Sequence, residues 1–261
     1  MSSLANLRFG GIARLLSTAG YQRLERAHVA VIGLGGVGSW AAEALVRSGI
    51  GTLTLVDLDE VCVSNVNRQL HALEDTVGHP KVEVLARRFQ AIHPGCHIER
   101  RPEFFTRVTA ARLLTPAYSF VLDAIDDLAN KCLLLAQCRQ RGLPVVTCGG
   151  AGGRSDPTAI RVADLAEATH DRLLAQVRKL LRHEHGFPAQ GEPFGIQAVF
   201  SVERPVFPQP DGSVCVDRGA SAFGAGLRLN CDAGLGTAAF VTGAYGFAAA
   251  AVVVRQIAAG A

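Results

Sequence analysis

"HVAVIGLGGVGSWAAEAL", residues 28–45, decides the fold. An apolar run ends in glycine and gives way at once to a helix-forming segment. "HVAVIG" is short, apolar and without alternation, the pattern of a parallel strand buried on both faces. "VGSWAAEALVRSG" reads as a helix closed by Gly49. Between them Gly33, Gly35 and Gly38 are spaced G-x-G-x-x-G, with Gly36 an additional glycine. Glycine permits a tight turn and a close approach of backbone to phosphate, and the helix N-terminus behind it favours an anion. The loop alone points to a nicotinamide or flavin cofactor.

The alternation continues outward. "TLTLVDLD" reads as a strand, "PKVEVLARRFQAIHP" as a helix, "FVLDAID" as a strand, "NKCLLLAQCRQRG" as a helix and "LPVVTCGG" as a strand. This order predicts an α/β fold: a Rossmann-like, doubly wound, mostly parallel sheet, with ligands at the carboxyl ends of its strands. Ahead of it, "LRFGGIARLLSTAGYQRLERA" reads as a short leader followed by a helix with Leu15, Leu16 and Leu24 on its apolar side. After Gly153 the pattern loosens. "DLAEATHDRLLAQVRKLLRHEHG" reads as a basic amphipathic helix, "QAVFSVE" and "SVCVD" as strands, and "FPAQGEPFGIQ" and "RPVFPQPDGSV" as exposed connections. The expected organisation is a nucleotide domain over residues 1–153 and a C-terminal extension over 154–261. The extension holds strands, flexible loops and an apolar helix packed on the same sheet, and carries substrate and dimer contacts.

Composition narrows the class. Of 261 residues, 49% are hydrophobic and 19% charged, enough for a sizeable core. The net charge of +3 does not by itself announce a nucleic-acid binder. Seven cysteines, an odd count without a secretory-signal pattern, predict a reducing, cytoplasmic setting with free thiols. No C-x-x-C pair occurs, so a tetracysteine zinc site is excluded on spacing. Residues 233–254 carry no charge and are long enough to cross a bilayer. The favoured reading is a buried core helix rich in Ala and Gly, with membrane attachment as the minor alternative.

The segment after the second strand changes the ligand. Asp57 and Asp59 close that strand, where a carboxylate can accept from ribose hydroxyls. Asn65, Arg68 and Gln69 follow in "SNVNRQ", and Lys81 opens a helix in "GHPKVEV". A hydride-transfer enzyme has no need of this arginine. A triphosphate does, because guanidinium binds phosphate oxygens in a planar fork. Asp126, in "DAIDD", supplies an acid for Mg2+ against the phosphates. Asp123 either touches the nucleotide or orients the site. The set is suited to ATP and leaves a nicotinamide oxidoreductase the weakest reading.

"GLGGVG", "DLDEVCVSNVNRQ", "GHPKVE" and "VLDAIDD" resemble the nucleotide site of ubiquitin-activating-enzyme-like (ThiF/MoeB-type) adenylating enzymes. That resemblance covers roughly the first 150 residues. It implies attack of a carboxylate on the ATP α-phosphate, giving an acyl-adenylate and pyrophosphate. Asp57 is then matched to ribose binding, Asn65, Arg68 and Lys81 to phosphate binding, and Asp126 to the metal and phosphates, which makes Arg68, Lys81 and Asp126 the catalytic candidates. "RFGGIARL", "GVGSWAAEALVRSGIG", "GGAGGRSDPTAIRVADLA", "PQPDGSVC" and "NCDAGLGTAAFVTGAYGF" extend the resemblance over almost the whole chain. They are similar to one branch, the tRNA threonylcarbamoyladenosine dehydratases. The resemblance implies ATP-dependent cyclisation of threonylcarbamoyladenosine in tRNA, and a homodimer. Some members of the branch imply a cysteine desulfurase or sulfur-acceptor partner. A monovalent cation, Na+ or K+, is a further expectation without assigned ligands.

Departures matter as much. The zinc module of the MoeB branch is missing, and where that branch carries a second N-terminal arginine this chain has Gly11, leaving Arg8 or Arg14. Cys231, in "LNCDAGLG", is open to two readings: a nucleophile or sulfur acceptor, or a packed thiol. The basic residues Arg154, Arg172, Arg178, Lys179 and Arg182 either track tRNA phosphates or form a solvated face. Two alternative functions stand beside the leading one: adenylation of the C-terminus of a small sulfur-carrier protein, and a non-catalytic nucleotide-binding module.

Overall fold

The apolar runs without alternation become the centre of one seven-stranded sheet. A computed structural model describes residues 3–114, 118–216 and 235–260. The chain opens with α1 (Ser3–Arg26), then β1 (His28–Ile32), α2 (Gly38–Arg47), β2 (Thr52–Val56), α3 (Lys81–Ile92), β3 (His97–Arg101) and α4 (Ala110–Leu113). It continues through β4 (Phe120–Asp123), α5 (Leu128–Arg141), β5 (Val145–Cys148), β6 (Ile160–Asp164), α6 (Arg172–His185) and β7 (Gln197–Ser201). A small hairpin of β8 (Phe207–Pro208) and β9 (Val214–Cys215) precedes α7 (Ala239–Ala259).

The strand order is β3-β2-β1-β4-β5-β7-β6, parallel except for the last strand, which pairs antiparallel with β7. The order reverses between β1 and β4, and that switch opens the crevice where ligands bind in such sheets. β1, with Val29, Ala30, Val31 and Ile32 all at most 1% exposed, is as buried as its composition predicts. One core layer joins α2, α3, α7 and α1 to one face of the sheet; the other joins α4, α5 and α6 to the opposite face. Because β6 and β7 extend the same sheet, the chain forms one continuous sheet across residues 153 and 154.

Several expectations change. The N-terminal leader is itself helical: α1 starts at Ser3 and breaks at Ser17, whose φ of 68° interrupts the helix while its Oγ accepts from Gly20 N–H. Leu15 is exposed rather than apolar-packed, while Leu24 is buried. The basic helix begins only at Arg172, where Asp171 caps it, with Leu165 in a separate 3-10 turn. The Pro/Gly connection after it is anchored by buried Phe187 and Phe194. β3 and β6, which carry charged residues, complete the two edges of the sheet. The uncharged C-terminal segment is α7, whose Val241, Tyr245, Ala249 and Val253 are fully buried against the core that α1 and α2 share. Protein packing accounts for this buried side of the helix, while Phe240 and Phe247 on it are more than half exposed.

Candidate active site

The glycine loop is dictated by crowding. Gly33 sits at φ +91°, and a Cβ there would lie 2.8 Å from the Ala124 carbonyl oxygen. A Cβ on Gly38 would lie 1.8 Å from the Gly33 carbonyl oxygen, inside any permitted contact. These two glycines let β1, the start of α2 and the turn after β4 converge. Gly35 faces open space, leaving room for a ligand. Gly36 serves packing: its Cα faces Thr242 Cγ2 of α7 and the Arg68 stem. No side chain caps the N-terminus of α2, and of its leading N–H groups Ser39 N–H donates back to the Gly35 carbonyl at 3.1 Å.

Asp57 ties the strand end to this loop. Its Oδ2 accepts from Leu34 N–H at 2.7 Å and its Oδ1 from Asp59 N–H at 2.8 Å. Burial pushes its carboxyl up, and the Lys81 charge opposes that rise. Each carboxylate oxygen keeps a further lone pair for a ribose hydroxyl. Lys81 Nζ ion-pairs with Asp59 Oδ2 at 2.9 Å, its own side chain buried and that of Asp59 half-exposed. Asn65 is buried in a 3-10 turn, and its Oδ1 accepts from Cys62 N–H. Arg68 donates from Nη1 to Ser64 O and Asn67 Oδ1, keeping its guanidinium beside the loop. Gln69 is buried with Oε1 unpartnered in the protein. Asp126 is exposed on the turn between β4 and α5.

Two residues absent from the expected set hold Arg68. Its carbonyl accepts from Trp40 Nε1 at 3.0 Å and Thr242 Oγ1 at 3.1 Å, which fastens the arginine loop to α2 and α7. Their separation in sequence from Arg68 hides this from any local motif. His71, two residues beyond Gln69, is 1% exposed with both ring nitrogens unpartnered. Burial, aided by Lys81, pulls its pKa down to about 4.

Other assignments are corrected. Asp123 is 0% exposed and its carboxylate is already engaged, by Lys131 Nζ, Thr147 Oγ1 and Ile125 N–H. Those three bonds favour the orienting role over direct contact with nucleotide. Arg154 is 6% exposed and donates to the carbonyls of Gly150, His170 and Glu203, so it braces the loop after β5 and is not available to RNA. Asp171 completes that brace by accepting from Gly150 N–H while capping α6. Arg178 is half-buried against Leu165 O, and Arg182 stacks 4.8 Å over Phe194; Arg172 and Lys179 are exposed. Because α6 starts beside Gly150 and its 14 residues span about 21 Å, Arg182 lies at the far end from the nucleotide crevice. Cys231 lies outside the described residues. Cys96, Cys132, Cys138 and Cys148 are buried and their thiols are pushed up to about 12, so they are inert. No cluster of three or more His, Cys, Asp or Glu that could hold a metal occurs among the described residues. Mg2+ needs no such cage when substrate phosphates and water complete its shell, and exposed Asp126 fits that mode.

A glycine loop, a strand-end acid and converging cations at the switch point define a nucleotide-binding α/β protein. The chain belongs to the ThiF family, whose model matches residues 11–253. The tRNA threonylcarbamoyladenosine dehydratase of Escherichia coli (strain K12) is 46% identical over 96% of this chain and 93% of its own length. The solved structure of TcdA (CsdL) superposes with a TM-score of 0.91 at 42% identity, covering 99% of this chain and 97% of the other. E. coli TcdA in complex with ATP superposes with a TM-score of 0.87 at 40% identity, with the same coverage of 99% and 97%.

Proposed function

We propose that this chain is an ATP-dependent tRNA threonylcarbamoyladenosine dehydratase that works through an adenylated carboxylate. The observation that carries the reading is likeness along nearly the whole chain, C-terminal half included, to a dehydratase solved with ATP. The geometry supports it. The β1–α2 loop and the start of α2 receive phosphates, Asp57 and Asp59 receive the ribose side, and Asn65, Arg68, Gln69 and Lys81 surround the triphosphate. Asp126 would hold Mg2+, which would supply charge neutralisation on the phosphates. A carboxylate oxygen of the modified nucleoside attacks the α-phosphorus and pyrophosphate leaves. A nitrogen of the same side chain then attacks the activated carbonyl carbon, loses its proton and expels AMP, closing the ring. Arg68 and Lys81 stabilise the charge that builds on the phosphate oxygens.

Arg172 and Lys179 are the exposed cations offered to tRNA, with a homodimer as the working assembly and the cytoplasm as the setting. These steps need no cysteine. Adenylation of a sulfur-carrier protein is the second reading, and the absent zinc cysteines disfavour it. The test incubates the protein with ATP, Mg2+ and tRNA bearing threonylcarbamoyladenosine, then weighs the released nucleoside. Loss of one water is expected. An unchanged mass with folded protein overturns the reading, and pyrophosphate exchange driven by a carrier protein instead of tRNA favours the second.

A further inference from the structure

Lys131 is 0% exposed, on the first turn of α5, whereas Lys179, the one other lysine outside the nucleotide site, faces solvent. Its ammonium ion-pairs with Asp123 Oδ2 at 2.8 Å and donates to Ile125 O at 2.9 Å. Asp123 in turn accepts from Thr147 Oγ1 on β5 at 2.6 Å and from Ile125 N–H at 3.0 Å. Both polar groups of the Ile125 backbone are thus bound by this pair. On one side of the turn Ala124 N–H donates to Ile32 O on β1 and the Ala124 carbonyl lies against Gly33; on the other Asp127 caps α5 through Asn130 N–H. Asp126 is the residue left between, with its side chain exposed.

A buried ion pair is a poor source of stability, because the cost of removing two charges from water offsets their attraction. This pair instead fixes one backbone turn. We propose that Lys131 is a positioning residue for the adenylation step: through Asp123 and the Ile125 carbonyl it sets the height of Asp126 above the phosphate loop. The inference rests on Asp126 as the acid that holds the metal on the triphosphate. Groups that support a metal ligand without touching the metal typically change affinity roughly 10–100-fold when removed.

The test compares three variants by tRNA-dependent ATP–pyrophosphate exchange across a Mg2+ titration, with ATP binding and melting temperature measured alongside. The paired variant Lys131→Met with Asp123→Asn leaves no uncompensated buried charge. Thr147→Val removes only the bond that orients Asp123 and serves where the paired variant does not fold. Asp126→Ala is the reference. The expected result is a Mg2+ midpoint raised roughly tenfold in the paired variant, a smaller rise in Thr147→Val, and metal-free ATP affinity unchanged in both. A wild-type midpoint in every folded positioning variant, while Asp126→Ala shifts it, overturns the role of Lys131 alone. A wild-type midpoint in Asp126→Ala overturns the reading of Asp126 and this inference with it.

Discussion

Asp57→Asn tests the join between strand end and phosphate loop with almost no change in shape. In the wild type each carboxylate oxygen accepts one backbone N–H, from Leu34 at 2.7 Å and Asp59 at 2.8 Å. Asparagine offers one oxygen and one NH2. In either orientation one backbone donor faces another donor. Losing a charge-assisted bond and stranding its partner costs about 3 kcal/mol at this buried position. The ribose bond proposed for the same carboxylate weakens too, so ATP affinity falls roughly 10–150-fold for about 1.5–3 kcal/mol. Urea unfolding followed by the fluorescence of Trp40, the sole tryptophan, reports the first loss. Calorimetry with ATP reports the second. A wild-type unfolding free energy refutes the tie to Leu34 and Asp59. A wild-type ATP affinity in a destabilised variant removes Asp57 from the nucleotide.

Three further outcomes follow from the same geometry. Gly38→Ala places a methyl 1.8 Å from the Gly33 carbonyl oxygen, so denaturation should show a loss of about 3 kcal/mol and calorimetry weakened ATP binding; unchanged values would mean the loop opens freely. His71 stays neutral down to about pH 4 while the unfolded chain takes up its proton near 6.5. The unfolded state therefore binds more protons in that window, and stability drops as pH falls, by about 1.4 kcal/mol per pH unit and about 2 kcal/mol by pH 5. His71→Leu should remove that slope between pH 6.5 and 4, and a retained slope assigns it elsewhere. Arg154→Ala strands three carbonyls and Asp171, so unfolding should cost about 3 kcal/mol less. An unchanged melting temperature with weakened, salt-dependent tRNA binding would return Arg154 to the RNA surface.

The centre of the fold was readable because its strands are buried on both faces and its helices are amphipathic or capped by glycine. The edges were not: β3, "HIERR", and β6, "IRVAD", are charged because edge strands meet water and resist pairing with other chains. The nucleotide set was readable where it is local, in Gly33–Gly38 spacing, Asp57 and "SNVNRQ". Burial separated what sequence could not. Asp123 and Asp126 stand three residues apart, yet one is sealed beneath the sheet end with Lys131 and the other faces solvent. Arg154 looks like a surface cation but finds enough backbone carbonyls to be buried. Trp40 and Thr242 reach Arg68 only once α2 and α7 pack together.

The adenylated carboxylate is the central claim, and oxygen transfer tests it most directly. With tRNA whose threonylcarbamoyladenosine carboxylate carries 18O, one labelled oxygen should leave with the nucleotide, giving AMP heavier by one 18O together with pyrophosphate and the cyclised nucleoside. Unlabelled AMP, or ADP as the nucleotide product, would contradict it.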